Sequence, residues 1–159
     1  RQGYGRVVFI SSVNGRFTFP FFGAYCASKH ALESFCDALR RELRGTGIYA
    51  TAVEPGLFKT HAVDNAQREF SGHIGVNNSI HSRTYEKLFK NIRSGTDKIP
   101  ENKTLLVACA VHKILDSRRP PARVVVPKMS LMYEMACRFL PDTIQDLLYS
   151  LKMKHIDKI

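Results

Sequence analysis

The 159 residues suit a single domain, and a composition of 44% hydrophobic and 24% charged residues is that of a folded globular protein. The 24 Lys and Arg residues exceed the 14 Asp and Glu residues and give a formal net charge of +10, but the basic residues are scattered and form no nucleic-acid-binding motif, so we expect no nucleic-acid partner. The four Cys show no CxxC spacing and the six His no HExxH motif, so we expect no metal site, and reduced cysteines rather than a disulfide framework.

The start of the chain predicts a strand. Residues 1–5 contain neither the apolar core of a signal peptide nor an initiating Met, so we expect a piece from inside a larger protein. Residues 6–12 form a short apolar run that ends in two Ser. The β-branched content of this run predicts a strand buried on both faces, as in a parallel sheet.

A long helix and a second strand follow. Residues 15–23 are a loop rich in Phe, and residues 24–44 predict a helix because apolar side chains recur close to the 3.6-residue period. Gly45 and Gly47 end this helix, and residues 48–53 predict a buried strand before Pro55. This strand, helix and strand order implies a right-handed βαβ crossover.

The remainder of the chain is mostly helical. The pattern predicts helices at residues 79–93, 103–116, 130–139 and 142–154, a strand at 122–126, and loops at 72–79 and 94–102. We therefore interpret residues 1–159 as one partial domain. Residues 1–60 are its catalytic βαβ segment, and residues 61–159 are a mostly helical segment on the substrate side.

Three residues of the first segment form a candidate reaction centre. Tyr25 and Lys29 lie four residues apart on the predicted helix, which places them about 40° apart around its axis. An ammonium beside a phenol favours the phenolate, which suits Tyr25 to general acid–base chemistry. Ser12 ends the first strand, at the edge of an open sheet where ligands bind, and its hydroxyl can hydrogen-bond a substrate oxygen.

The run at residues 5–12, followed by Tyr25-Cys26-Ala27-Ser28-Lys29, resembles the catalytic signature of the short-chain dehydrogenase/reductase family. The resemblance implies an α/β fold with a Rossmann-like, doubly wound parallel sheet. It also implies NAD or NADP as the cofactor. Tyr25 would exchange a proton with the substrate, Ser12 would hold the substrate oxygen, and Lys29 would bind the nicotinamide ribose beside Tyr25.

A second segment resembles the Pro-Gly-x-x-x-Thr segment of the same family. The resemblance implies that Pro55, Gly56 and Thr60 bind the nicotinamide end of the cofactor and that Phe58 contacts the substrate. Residues 53–60 and 140–146 are also similar to the group of retinol, hydroxysteroid and hydroxybutyrate dehydrogenases. That similarity slightly favours NAD and implies an apolar alcohol or ketone, such as a retinoid or a steroid. Six apolar residues suit such a substrate: Phe17, Phe19, Phe21, Phe22, Leu57 and Phe58.

The same group implies a location at the endoplasmic reticulum membrane or in microsomes, with mitochondria or cytoplasm as alternatives. Association with a membrane surface and pairing into a homodimer through the Tyr25 helix are further implications of the resemblance.

The chain departs from the family because it contains no Gly-rich Thr-Gly-x-x-x-Gly-x-Gly turn. It also lacks the residue that separates NAD from NADP and the Asn that completes the family's proton relay. Residues 45–50 match G-x-G-x-x-A, but they follow a helix and enter a strand, which is the reverse of the order that phosphate binding needs. We therefore expect the C-terminal half of the fold, without its N-terminal dinucleotide-binding strands, and a fragment that is inactive alone. Two alternatives to an oxidoreductase stay open: a truncated or incomplete non-catalytic product, and a basic membrane-surface module that acts through residues 142–154.

Overall fold

The computed structural model describes residues 2–73 and 79–157. The chain divides into two compact units. The first runs to Gly56 and resumes from Asn102 to Leu140, and the second contains Leu57–Glu101 and the residues from Pro141 onward. Such a division does not test whether the two units form one partial domain, so that interpretation, with its boundary at residue 60, stays a prediction.

The first unit is built on a parallel sheet of three strands. These strands are β1 (Gly5–Ile10), β2 (Ile48–Pro55) and β3 (Arg123–Val126), in the order β1-β2-β3. Gly5 pairs with Ile48, and Val53 pairs with both Ile10 and Val124. The predicted α/β class with a parallel sheet is confirmed, and all three carboxyl ends lie at one edge of the sheet.

The first strand differs from its prediction. Val7 and Ile10, which point to opposite faces of β1, are both exposed, so this strand is not buried on both faces. The reason is its position, because β1 is the outer strand of the sheet whereas β2 lies between two neighbours. In β2, residues 50–54 are all buried, in agreement with the buried strand predicted at residues 48–53.

The long helix α1 (Gly23–Glu42) connects β1 to β2. A small core forms where Cys36 of α1 meets Ala50 and Ala52 of β2, with Phe9 and Leu39 packed against it. Arg40 and Arg41 lie in the last turn of α1, where cations interact favourably with the helix dipole. The return to β2 needs Gly47, whose φ is +80° and whose Cβ would lie 2.6 Å from the Gly3 carbonyl oxygen.

Two further helices belong to the first unit, and three helices belong to the second unit. The second unit contains α2 (Ala62–His73), α3 (Ser82–Asp97) and α6 (Asp142–Asp157), and the first contains α4 (Leu105–Asp116) and α5 (Met129–Phe139). A 3₁₀ turn at Glu101–Thr104 precedes α4. Asp64 of α2 pairs with Arg93 of α3, and α3 also packs against α6.

One helix in this part of the chain was not predicted, and one predicted loop is wrong. Helix α2 was not predicted, because its sequence is mostly polar and carries only a short apolar stripe. The predicted loop at 94–102 is largely replaced by helix, since α3 continues to Asp97 and the Thr96 hydroxyl donates to the Arg93 carbonyl at 2.8 Å. The predicted loop at 72–79 overlaps the end of α2, and its residues 74–78 lie outside the described residues. Within the described ranges, no helix combines the length and apolar character needed to cross a membrane.

Candidate active site

Ser12 lies just beyond the carboxyl end of β1 and is buried. The Ser11 N–H donates to the Val53 carbonyl at 2.8 Å, which continues the ladder between β1 and β2 by one residue. The Ser12 Oγ accepts from the Asn14 N–H at 3.2 Å and donates to the Pro55 carbonyl at 3.4 Å. These two contacts hold the hydroxyl between the end of β1 and the end of β2. The contact with Asn14 also makes Ser12 the N-cap of the 3₁₀ turn Val13–Gly15.

Tyr25 and Lys29 lie on successive turns at the start of α1. The Lys29 Nζ lies 5.8 Å from the centroid of the Tyr25 ring and donates to the carbonyl of Ile10 at 3.2 Å. Ile10 is the last residue of β1, so the ammonium is fixed both to its helix neighbour and to the strand end that precedes Ser12. Tyr25 is 44% exposed, so this residue lies at the surface of the described structure.

The close approach of α1 to the turn after Ser12 depends on Gly15. A Cβ at this position would lie 2.9 Å from the Glu33 Cγ, 3.0 Å from the Lys29 carbonyl oxygen and 3.0 Å from the Ser11 Oγ. Real Cβ contacts are rarely so short, so a side chain here would push the turn and the helix apart. Gly15 therefore sets the distance between the Ser12 turn and the helical turn that carries Lys29.

Cys26, next to Tyr25, is 1% exposed and serves as an acceptor. Its Sγ receives the Phe19 N–H at 3.5 Å and the Asn14 side-chain amide at 3.8 Å. Since Asn14 also donates its backbone N–H to Ser12, this thiol links the loop before α1 to the Ser12 turn.

Burial should determine the order in which thiols react. Cys26 and Cys36 are buried whereas Cys109 is exposed, and burial, followed by the nearby Glu33 charge, raises the pKa of the Cys36 thiol. Because the thiolate is the reactive form, we expect iodoacetamide to label Cys109 first in a chain carrying Cys137→Ser. Peptide mass spectrometry at increasing times measures this order. Labelling of Cys36 before Cys109 in the folded chain would contradict the burial described.

The segment that follows β2 begins in the first unit and continues in the second. The Gly56 N–H donates to the Val126 carbonyl at 2.7 Å, and a Cβ on Gly56 would lie 2.5 Å from the Ser130 Oγ. Pro55 and Gly56 therefore lie at the same sheet edge as Ser12. Phe58 and Thr60 belong to the second unit, where Phe58 is buried and the Thr60 hydroxyl accepts from the Ala62 N–H at 3.3 Å. The roles assigned to Phe58 and Thr60 stay predictions.

A cluster of charged side chains that joins α1, β2 and β3 was not predicted. Arg123, the first residue of β3, pairs with Glu33 and Asp37 of α1 and with Glu54 of β2. Glu33 lies four residues beyond Lys29, on the helix face that carries the reaction centre. A carboxylate on that face was the signal available in the sequence, but its partner Arg123 lies 90 residues away along the chain.

Because of this cluster, the free energy of unfolding should change with pH in the acid range. Burial would raise the pKa of Asp37, but the hydrogen bond from Arg40 and the charge of Arg123 outweigh it, so the pKa lies below 3.8. The ionised carboxylate therefore stabilises the fold above about pH 3.8, and this contribution is lost as the pH falls through the lowered folded-state pKa. In urea unfolding, we expect Asp37→Asn to be less stable than wild type at neutral pH and the difference to shrink below that value. A difference that stays constant with pH would show that the charge of Asp37 does not contribute.

Comparison with known proteins agrees with this geometry. A family model described as short chain dehydrogenase matches residues 1–70. An NADPH-dependent 3-dehydrocapnine reductase from Ornithobacterium rhinotracheale is 34% identical over 155 residues, which cover 96% of this chain and 52% of the reductase. The chain belongs to the short-chain dehydrogenase/reductase family.

Other members of this family match in the same way. Human 17-beta-hydroxysteroid dehydrogenase type 6 is 30% identical over 155 residues, which cover 92% of this chain and 48% of that enzyme. A short-chain dehydrogenase/reductase from Burkholderia phymatum, solved in complex with NAD, superposes with a TM-score of 0.62 at 22% identity. The superposition covers 83% of this chain and 46% of the Burkholderia chain. This likeness confirms the predicted Rossmann-like fold. The chain spans about half the length of these relatives.

Proposed function

We propose that this chain carries the reaction centre of an NAD(P)-dependent oxidoreductase that acts on the CH–OH group of an apolar alcohol, or on the corresponding ketone. The observation that carries the proposal is the position of the Lys29 ammonium, held by the Ile10 carbonyl and 5.8 Å from the centre of the Tyr25 ring. A phenol beside a fixed cation, at the ligand-binding edge of a parallel sheet, is suited to proton transfer.

The donors at this edge fit the nicotinamide end of a dinucleotide. Lys29 carries three N–H donors, of which its bond to Ile10 uses one, so ribose hydroxyls can be bound by the same ammonium. Gly56 lies at the same edge, directly after Pro55, and packs so closely on Ser130 that an added Cβ would lie 2.5 Å from the Ser130 Oγ. When bound, the nicotinamide supplies or accepts a hydride at the carbon of the substrate.

The residues of the chain handle the oxygen and the proton. During reduction, the Tyr25 hydroxyl donates its proton to the carbonyl oxygen of the substrate as the hydride reaches the carbon, and oxidation reverses this transfer. The Ser12 hydroxyl holds the same oxygen, for which it must turn from the Pro55 carbonyl, an exchange helped by the long 3.4 Å contact. The Lys29 ammonium lies 5.8 Å from the centre of the Tyr25 ring and fixes the position of its positive charge beside this residue.

We further propose a retinoid or a steroid as the substrate. The apolar loop before α1 supports this choice, as does the similarity to a hydroxysteroid dehydrogenase. For the cofactor we retain the slight preference for NAD. A structural neighbour was solved with NAD, whereas one relative is NADPH-dependent. Location at the endoplasmic reticulum or microsomal membrane, with mitochondria or cytoplasm as alternatives, is part of the same proposal and is tested by imaging the tagged protein.

A homodimer that pairs through α1 is the last part of the proposal. It is supported by the exposed Phe35 on that helix. Sedimentation of the chain at several concentrations, with and without lipid vesicles, tests both the dimer and the membrane association. A chain that sediments as a monomer and does not bind the vesicles would contradict both the dimer and the membrane association.

The test of function is a titration of the chain with NADH and NADPH, followed by nicotinamide fluorescence and by thermal stability, and then a turnover assay with retinol and hydroxysteroids. Binding and turnover that saturate with cofactor support the oxidoreductase. Absence of both from the chain, and from any longer protein that contains it, would favour a non-catalytic product. Salt-sensitive binding to anionic vesicles without cofactor binding would favour the membrane-surface module.

A further inference from the structure

We propose that Arg123 is a positioning residue for the reaction centre, because it fixes helix α1, which carries Tyr25 and Lys29, to the strand end that carries Pro55 and Gly56. This inference rests on the proposed function for its catalytic consequence. The structural part, which concerns the rigidity of the site, can be measured without any activity.

The Arg123 guanidinium contacts three carboxylates from two elements. Its Nε lies 3.0 Å from the Glu33 Oε2 and 3.2 Å from the Glu54 Oε1, and its Nη2 lies 2.7 Å from the Asp37 Oδ1. Glu33 and Asp37 are one turn apart on α1, whereas Glu54 is on β2. The Nε and Nη2 N–H groups of the planar fork donate to Glu33 and Asp37, and the contact with Glu54 is an ion pair. A Lys ammonium would act as a point charge and could not reproduce this fork.

Both ends of this bridge continue directly into the site. Glu33 is one helical turn beyond Lys29, and its Cγ is the atom nearest to the space that a Gly15 Cβ would need. Glu54 is followed by Pro55, whose carbonyl receives the Ser12 hydroxyl. A shift of α1 relative to β2 would therefore change the position of Lys29 and Tyr25 relative to Ser12.

The charges explain why the bridge needs Arg123. Glu33 and Glu54 are both almost completely buried, and the Arg123 Nε lies within 3.2 Å of an oxygen of each. Burial alone would lower the pKa of Arg123, but Asp37 and Glu33 raise it above its usual range, so the guanidinium stays charged. Without it, two buried carboxylates would repel each other across the contact between α1 and β2.

Arg40 provides a matched control. Its Nη2 also pairs with the Asp37 Oδ1, at 3.2 Å, but this pair lies within α1 and does not connect the helix to β2. Replacing Arg by Lys at either position keeps the charge and removes the fork. Only the change at position 123 should loosen the link between α1 and β2.

The first measurement is backbone amide hydrogen exchange in the complete chain. In Arg123→Lys we expect exchange at residues 26–29 and at Gly56 to be at least about tenfold faster than in wild type, after correction for any change in global stability. Arg40→Lys should leave these rates unchanged. If Arg123→Lys does not fold, Glu33→Gln, which keeps the shape of the side chain, replaces it. Unchanged exchange in the folded variant would overturn the positioning role whether or not the chain is an enzyme.

The second measurement is steady-state kinetics. Since a misplacement of about 1 Å can lower a rate about 100-fold, we expect Arg123→Lys, in an active protein that contains this chain, to lower kcat by about 10- to 100-fold per folded molecule, with KM changed less than about twofold. A variant with reduced stability but a normal kcat would show a purely structural role and overturn the proposal. Absence of turnover in wild type would count against the proposed function instead, and the exchange data would still decide the role of Arg123.

Discussion

In a longer, active protein that contains this chain, replacing Tyr25 with Phe is expected to lower kcat by about 10²- to 10⁴-fold, the usual contribution of a positioned general acid or base. The free energy of unfolding should change by less than about 0.5 kcal/mol, because the side chain is 44% exposed and the variant keeps the ring that faces Lys29. The change removes one hydroxyl and leaves the helix intact. Steady-state kinetics and urea unfolding of the same preparation measure the two effects.

A suitable control is Tyr49→Phe, which removes the same hydroxyl from a Tyr of β2. The ring of Tyr49 packs under the Arg6 guanidinium at 4.7 Å, and this contact does not use the hydroxyl. We expect Tyr49→Phe to retain wild-type kcat. If Tyr25→Phe also retained it, the proton would be transferred by another group, and the assignment of Ser12, Tyr25 and Lys29 would be wrong.

The parts of the site that could be predicted depend on local sequence. The spacing of Tyr25 and Lys29 follows from the helical repeat, and the position of Ser12 follows from the apolar run that ends beside it. Parallel pairing then brings the ends of β1 and β2 together, which places Pro55 within reach of the Ser12 hydroxyl. Each of these steps needs only a few neighbouring residues and one topological rule.

The parts that could not be predicted depend on residues far apart in the chain. Arg123 reads as an ordinary basic residue before a short strand, and only the packing of β3 beside β2 brings it to Glu54 and Glu33. The exposure of Val7 and Ile10 depends on which strands flank β1, and the composition of β1 cannot indicate that. Gly15 resembles any loop glycine until the helix is placed against it.

Replacing Gly15 with Ala is therefore expected to destabilise the fold and impair the reaction together. The new Cβ would meet the Lys29 carbonyl oxygen at 3.0 Å, and a backbone atom held inside a helix cannot turn away as a side chain can. Overpacking of this kind typically lowers the free energy of unfolding by about 1–3 kcal/mol. Because the displaced helical turn of α1 carries Lys29, kcat should fall by about tenfold or more, in line with the sensitivity of rates to small misplacements.

The matched control for this prediction is Gly23→Ala, at the first residue of α1, where an added Cβ would meet no heavy atom within 4 Å. Replacing a glycine without strain restricts the unfolded chain, so this variant should be as stable as wild type or more stable by up to about 1 kcal/mol. Its kcat should be unchanged, because the helix keeps its distance from the Ser12 turn. Equal stability and equal kcat in the two variants would mean that the turn at Gly15 moves away freely, and that the distance between Ser12 and Lys29 is set elsewhere in the fold.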